Sequence, residues 1–237
     1  MRSRPGAIPA RVRGSDLKRL GVLGGTFDPV HYGHLILAAQ LREAFGLDRV
    51  LLVPCSRSPH KPRYKPAHSR HRLEMARLAT LGRKGLAVSD MEIRRGGLSY
   101  TIDTVTQLRQ LMGPRVELWL LVGMDAYLDI PAWKDFESIV RECSIGVARR
   151  PGYRVRQLPK AIRSKAHFAE ITELAVSSTD IRRRLRAGLG ASFLVPERVE
   201  AYIKRNRLYG PTKPVGAAQH SRPPQESRRG SDASSAC

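Results

Sequence analysis

Apolar positions along this chain follow two alternating periods. Short apolar runs, Leu20-Gly21-Val22-Leu23-Gly24 and Val50-Leu51-Leu52-Val53, end at glycine or proline and predict buried strands. Leu86-Ala87-Val88, residues 116–122, Ile145-Gly146-Val147-Ala148 and residues 167–171 predict more strands. Between them, apolar residues fall at helical spacing. Residues 34–45 set Leu35, Ala38, Ala39, Leu41 and Phe45 on one stripe and stop at Gly46. Residues 69–81 predict a helix with the stripe Leu73, Ala76, Leu78 and Leu81. Residues 101–111, capped by Ser99 or Thr101, and residues 178–186 and 196–205 predict three more. The proline-rich basic stretch 55–67 reads as a loop.

Strands alternating with helices predict an α/β fold, an open parallel sheet with helices on both faces. It forms a single domain with a C-terminal helical part. Ligands of such sheets sit beyond the carboxyl ends of the strands, where strand order reverses. The first strand-to-helix turn is therefore the first place to look for chemistry.

Composition narrows the class. The 237 residues carry 42 Lys+Arg against 21 Asp+Glu, a formal net charge of +21. The longest apolar runs, such as Leu35-Ile36-Leu37-Ala38-Ala39, are too short to span a bilayer, so no membrane partner is expected. Cys55, Cys143 and Cys237 form no CxxC pair, which argues against a zinc or disulfide framework and for a cytoplasmic location. Residues 1–18 are Arg-rich without a long apolar core and read as a disordered basic extension, although an organelle transit peptide has a similar composition. Residues 211–237, rich in Pro, Gly, Ser and Ala, read as a disordered tail. Residues 19–210 are left as the folded domain.

Acid-poor runs at 57–72, 149–165 and 182–186 suit a polyanionic partner, either nucleic acid or nucleotide phosphates. Aromatics make up only 6% of the chain. No RNA-binding or finger pattern appears, which weighs against a nucleic-acid-binding protein, weak contacts through the tails aside. Oligomeric state stays open, a homo-oligomer included.

The turn after the first strand reads Gly24-Gly25-Thr26-Phe27-Asp28-Pro29-Val30-His31-Tyr32-Gly33-His34. Glycines at the strand end let backbone N–H groups approach a ligand. With His31 in the first helical turn, both imidazoles lie on one face at a helix N-terminus, a setting that favours an anion. Asp28 before Pro29 reads as structural. Neither GxxxxGK[ST] nor GxGxxG occurs. Downstream, Val176-Ser177-Ser178-Thr179-Asp180-Ile181-Arg182 offers a capped helix start with an arginine one turn in, able to fork onto phosphate oxygens. His60, His68 and His71 flank prolines and are rejected as a metal site.

His31-Tyr32-Gly33-His34 resembles the [T/H]xGH signature of the nucleotidyltransferases, and residues 176–182 resemble their ISSTxIR motif, with Val for the leading Ile. Other segments resemble the nicotinate-nucleotide adenylyltransferases. Pro54 to Lys61 is similar to a loop ending PPHK, with Ser58 replacing the first proline of that pair. Ser99-Tyr100-Thr101, Gly123-Met124-Asp125 with Trp133-Lys134, and Arg149-Arg150-Pro151-Gly152-Tyr153 match further elements. The resemblance spans roughly residues 20–209.

It implies a Rossmann-like sheet and adenylyl transfer from ATP to nicotinate mononucleotide, giving deamido-NAD and pyrophosphate in NAD biosynthesis. It implies His31, His34, Lys61 and Arg182 as catalytic, and Gly24, Gly25, Thr26, Phe27, Ser178 and Thr179 as ATP-binding. Tyr100, Thr101, Asp125 and Trp133 would bind the nicotinate nucleotide. Mg²⁺ would ride on the ATP phosphates, with no protein metal ligand. The nearest rival is pantetheine-phosphate adenylyltransferase, which shares the first motif.

Overall fold

The computed structural model describes residues 17–60, 64–149, 158–172 and 174–210. Both expected tails, Lys61 and Arg150-Pro151-Gly152-Tyr153 lie outside the described residues, apart from Leu17 and Lys18. The Lys18 N–H meets Asp48 Oδ2 at 2.8 Å, and Leu17 packs on the core.

In chain order the elements are β1 (Arg19–Gly25), α1 (Tyr32–Ala44), β2 (Arg49–Pro54), α2 (Ser69–Thr80), β3 (Leu86–Val88), α3 (Met91–Arg95) and α4 (Thr101–Met112). They continue with β4 (Glu117–Gly123), α5 (Met124–Asp129), a short 3-10 turn (Ile130–Ala132), α6 (Phe136–Glu142), β5 (Cys143–Arg149) and α7 (Lys160–Arg163). The last are β6 (Ala166–Glu170), α8 (Ser178–Arg186) and α9 (Glu197–Arg205).

The strands make one parallel sheet in the order β3-β2-β1-β4-β5-β6. The chain steps outward from β1 to β3, then returns beside β1 to lay down β4. The order reverses between β1 and β4, and the carboxyl ends of those two strands frame the expected crevice. Side chains alternate across the sheet. Leu51 and Val53 of β2, with Leu118, Leu120 and Val122 of β4, pack with α4, α5 and α6. Val50 and Leu52, with Trp119 and Leu121, pack with α1, α2, α8 and α9. Both faces are buried, which explains why these strands read as continuous apolar runs rather than alternating ones.

The structure corrects the expected face of α2. Its buried residues are Arg72, Met75, Ala76, Ala79 and Thr80, while Leu73 and Leu78 are only half-buried and Leu81 is 54% exposed. The apolar stripe is rotated because an arginine occupies the inward face. Helices α3, α5, α6 and α7 have no counterpart in the predicted elements. At 4 to 7 residues each, they are too short to show a periodic stripe.

Gly146 on β5 lets the end of α1 come down onto the sheet. A Cβ there would lie 2.8 Å from both Leu121 Cδ2 and Phe45 Cε2. Phe45 cannot yield freely, because its ring is stacked on Trp119 with centroids 5.0 Å apart. Gly146→Ala is therefore expected to lower stability by about 1–3 kcal/mol through overpacking. Urea unfolding measures this, and an unchanged midpoint would count against the tight contact.

Candidate active site

The turn after β1 brings both histidines together. His31 is the N-cap of α1, with φ −143° and ψ 172°, one residue short of the expected place inside the helix. Its N–H donates to His34 Nδ1 at 3.3 Å. The two rings stack with centroids 3.8 Å apart, and Phe27 meets the His34 ring edge-on at 5.0 Å. The glycine between the histidines has a steric reason. A Cβ on Gly33 would lie 3.0 Å from His31 Nδ1, so the imidazole folds over a residue that has no side chain.

Burial pushes the pKa of His31 down to about 4. His34 is held well below its ordinary value, first by burial and then by the His31 charge. Both rings are therefore neutral at pH 7. Because His34 Nδ1 accepts a bond, its proton sits on Nε2, which is left to donate to a ligand. His31 Nδ1 is buried and meets no hydrogen-bond partner among the described residues.

The downstream motif closes onto the same turn. The Ser177 Oγ caps α8 by accepting the Asp180 N–H at 3.1 Å. Ser178 Oγ donates to the Pro29 carbonyl at 2.8 Å. Arg182 Nη1 donates to the Asp28 carbonyl at 2.7 Å, and its Nη2 donates to Thr179 Oγ1 at 3.2 Å. Arg182 Nε is buried without a partner among the described residues, and the guanidinium lies 4.8 Å from the centre of the Tyr64 ring. The two motifs thus meet at the start of α1.

Asp28 is buried, in keeping with its structural reading. Its carboxylate accepts from the Tyr64 and Tyr209 hydroxyls and from the Ala67 N–H at 3.2 Å. Burial, then the neighbouring Asp28, raises the pKa of Tyr64, and burial and Asp28 likewise raise Tyr209, so both stay protonated donors. Nothing in the sequence pattern marks either tyrosine, since a buried carboxylate demands donors without saying where along the chain they are.

The loop after β2 runs beside the turn toward a second cluster. The Cys55 N–H meets the Gly25 carbonyl at 2.9 Å, and the Ser56 N–H meets Ser99 Oγ at 2.9 Å. Ser99 is thus spent on the loop and does not cap α4, whose N-cap is Tyr100. Thr101 begins that helix. Lys134 Nζ lies 4.5 Å from the centre of the Tyr100 ring, and the Trp133 ring lies 5.8 Å from that of His60. Asp125 is exposed in the first turn of α5, while Gly123 is the N-cap.

The other two histidines of the rejected metal set are engaged elsewhere, His68 with the Arg70 N–H and His71 with the Tyr202 hydroxyl. Among the described residues, no three His, Cys, Asp or Glu side chains gather into a metal cage.

The lowered pKa of His31 has a consequence for stability. The unfolded chain takes a proton near pH 6.5, while the folded one resists until about pH 4. The contribution of neutral His31 is full above pH 6.5 and is lost as pH falls toward 4, a change of about 3 kcal/mol. Urea unfolding of wild type and His31→Gln at about pH 7.5 and about pH 4 should show wild type losing that much more. Parallel losses would remove His31 as the source.

The cytidylyltransferase-like family model matches residues 22–184. A probable nicotinate-nucleotide adenylyltransferase of Moorella thermoacetica is 44% identical over 200 residues, covering 81% of this chain and 92% of the relative. One from Thermus thermophilus is 40% identical and covers 81% and 99%. The solved structure of Plasmodium falciparum nicotinic acid mononucleotide adenylyltransferase complexed with NaAD shares the fold, with a TM-score of 0.66 at 20% identity. That match covers 81% of this chain and 97% of the other. With relatives of this identity matched almost end to end, the chain belongs to the nicotinate-nucleotide adenylyltransferase family of cytidylyltransferase-like proteins.

Proposed function

We propose that the protein transfers the adenylyl group of ATP to the 5′-phosphate of nicotinate mononucleotide, releasing pyrophosphate and forming deamido-NAD. The observation that carries this reading is the bond pair from Ser178 and Arg182 to Pro29 and Asp28, which gathers two phosphate-suited motifs at the start of α1.

The acceptor phosphate is already an anionic nucleophile, so the protein needs neither a general base nor a nucleophile of its own. Its task is to position two polyanions in line and offset their repulsion. His34 Nε2–H and the turn Gly24-Gly25-Thr26-Phe27 donate to phosphate oxygens near the α-phosphorus, and His31 shares that end of the helix. Ser178, Thr179 and Arg182 hold the β and γ phosphates, with the orphan Arg182 Nε available to an oxygen. Lys61 follows His60 in the loop and is assigned to the reacting phosphates.

Mg²⁺ would enter on the triphosphate, offsetting its charge. The donors of this turn are imidazoles, and Asp28 already accepts bonds from Tyr64, Tyr209 and Ala67, so the described residues supply no carboxylate cage there. Tyr100, Thr101, Asp125 and Trp133 receive the nicotinate nucleotide. The cationic pyridinium ring suits an aromatic face. Hydroxyl and backbone N–H donors near Tyr100 and Thr101 favour the acid over the amide. No described helix is long and apolar enough to cross a membrane. We place the reaction in the cytoplasm, where the buried free thiols Cys55 and Cys143 stay reduced.

Pyrophosphate release from ATP should be fast with nicotinate mononucleotide, slow with its amide and absent with phosphopantetheine. Turnover with phosphopantetheine instead would move the chain to the rival activity, and equal turnover of acid and amide would refute the specificity. His34→Ala should keep the fold, checked by circular dichroism, and slow the transfer by about a hundredfold or more. A folded variant with wild-type turnover would take His34 out of the reaction.

A further inference from the structure

Arg72 has no part in the reading above, although it is among the largest fully buried side chains, at 1% exposed. A buried cation is costly unless its hydrogen bonds are met. Among the described residues, every oxygen it meets is a backbone carbonyl. Nε donates to Ala67 at 2.9 Å, Nη1 to Thr26 at 2.8 Å and to Cys55 at 2.7 Å, and Nη2 to Ser56 at 3.0 Å. These carbonyls belong to three separate segments: the turn after β1, the loop after β2 and the entry to α2.

The bond to Thr26 bears on the pocket. A trans peptide holds its carbonyl and its N–H on opposite sides. With the Thr26 carbonyl drawn inward to Arg72, the Phe27 N–H of the same peptide is turned the other way. Phe27 sits at φ +50°, a conformation that bulky side chains rarely adopt. Among the described residues its N–H meets no acceptor. The peptide is therefore held in an unusual attitude, with one polar end satisfied by Arg72 and the other left unmet.

We propose that Arg72 is a positioning residue for the triphosphate pocket. By gripping the Thr26 carbonyl from behind, it aims the Phe27 N–H at a phosphate oxygen. Through the Cys55 and Ser56 carbonyls it keeps the neighbouring loop in step with the turn. This deepens the adenylyl-transfer reading and rests on it. A lysine could not reproduce the arrangement, because a single ammonium cannot fork across carbonyls in three segments as a planar guanidinium does.

The test compares wild type, Arg72→Lys and Arg72→Met at a temperature where circular dichroism shows each variant folded. Isothermal titration measures binding of a non-hydrolysable ATP analogue and of adenosine, which lacks phosphates. Arg72→Met should bind the analogue tenfold or more weakly while adenosine changes less than twofold, and Arg72→Lys should fall between. Unchanged analogue affinity would overturn the proposal. So would equal losses for both ligands, the mark of a merely structural residue. Should Arg72→Met fail to fold, Arg72→Lys decides by the same comparison. A wild-type protein that bound no analogue would defeat the adenylyl-transfer reading, and this proposal with it. Normal wild-type binding with indifferent variants would defeat only the role of Arg72.

Discussion

The Asp28 carboxylate, shut away from solvent and met by donors far apart in the chain, is the contact on which the pocket hangs. Tyr64, Ala67 and Tyr209 converge on its oxygens, while its own carbonyl takes the Arg182 guanidinium. Burying a carboxylate is tolerable only when such bonds replace water. These carboxylate and carbonyl bonds together tie the turn after β1 to the entry to α2, to α8 and to the segment beyond α9. The sheet supplies the frame, and this one side chain sets where the frame's loops meet.

Around it the labour is divided between neutral donors and fixed cations. The stacked histidines are enclosed and held neutral, so any bond they donate is an uncharged one. The field comes from Arg182 and from the surplus of basic residues along the chain. Two uncharged rings can lie 3.8 Å apart, where two imidazolium ions would repel.

Elements that bury one kind of surface were legible in the sequence. The strands announced themselves because both sheet faces are covered, α1 because its apolar stripe is local, and α8 because its cap is. The face of α2 was not legible, because the partners of Arg72 are carbonyls, and a carbonyl has no letter in the sequence. The short helices α3, α5, α6 and α7 carry too few residues for a period to emerge. Within the site, the rule about sheet topology pointed to the turn that carries His31 and His34, and the resemblance of residues 176–182 to a nucleotidyltransferase motif brought Arg182 to that turn. Neither pointed to the tyrosines, since Tyr64 and Tyr209 act across separations of 36 and 181 residues. Ser99 was read as a helix cap because its position suited one, yet a loop amide 43 residues earlier claimed the hydroxyl.

The bond between Tyr209 and Asp28 also joins the two ends of the folded domain, 181 residues apart. On the ribosome, β1 and its turn emerge first and can pair with β2 and β3 while later segments are still being made. Arg182 and Tyr209, which close onto Asp28, emerge only after all six strands of the sheet have been translated. The turn around Asp28 therefore gains its last partners after the sheet that frames it has been translated.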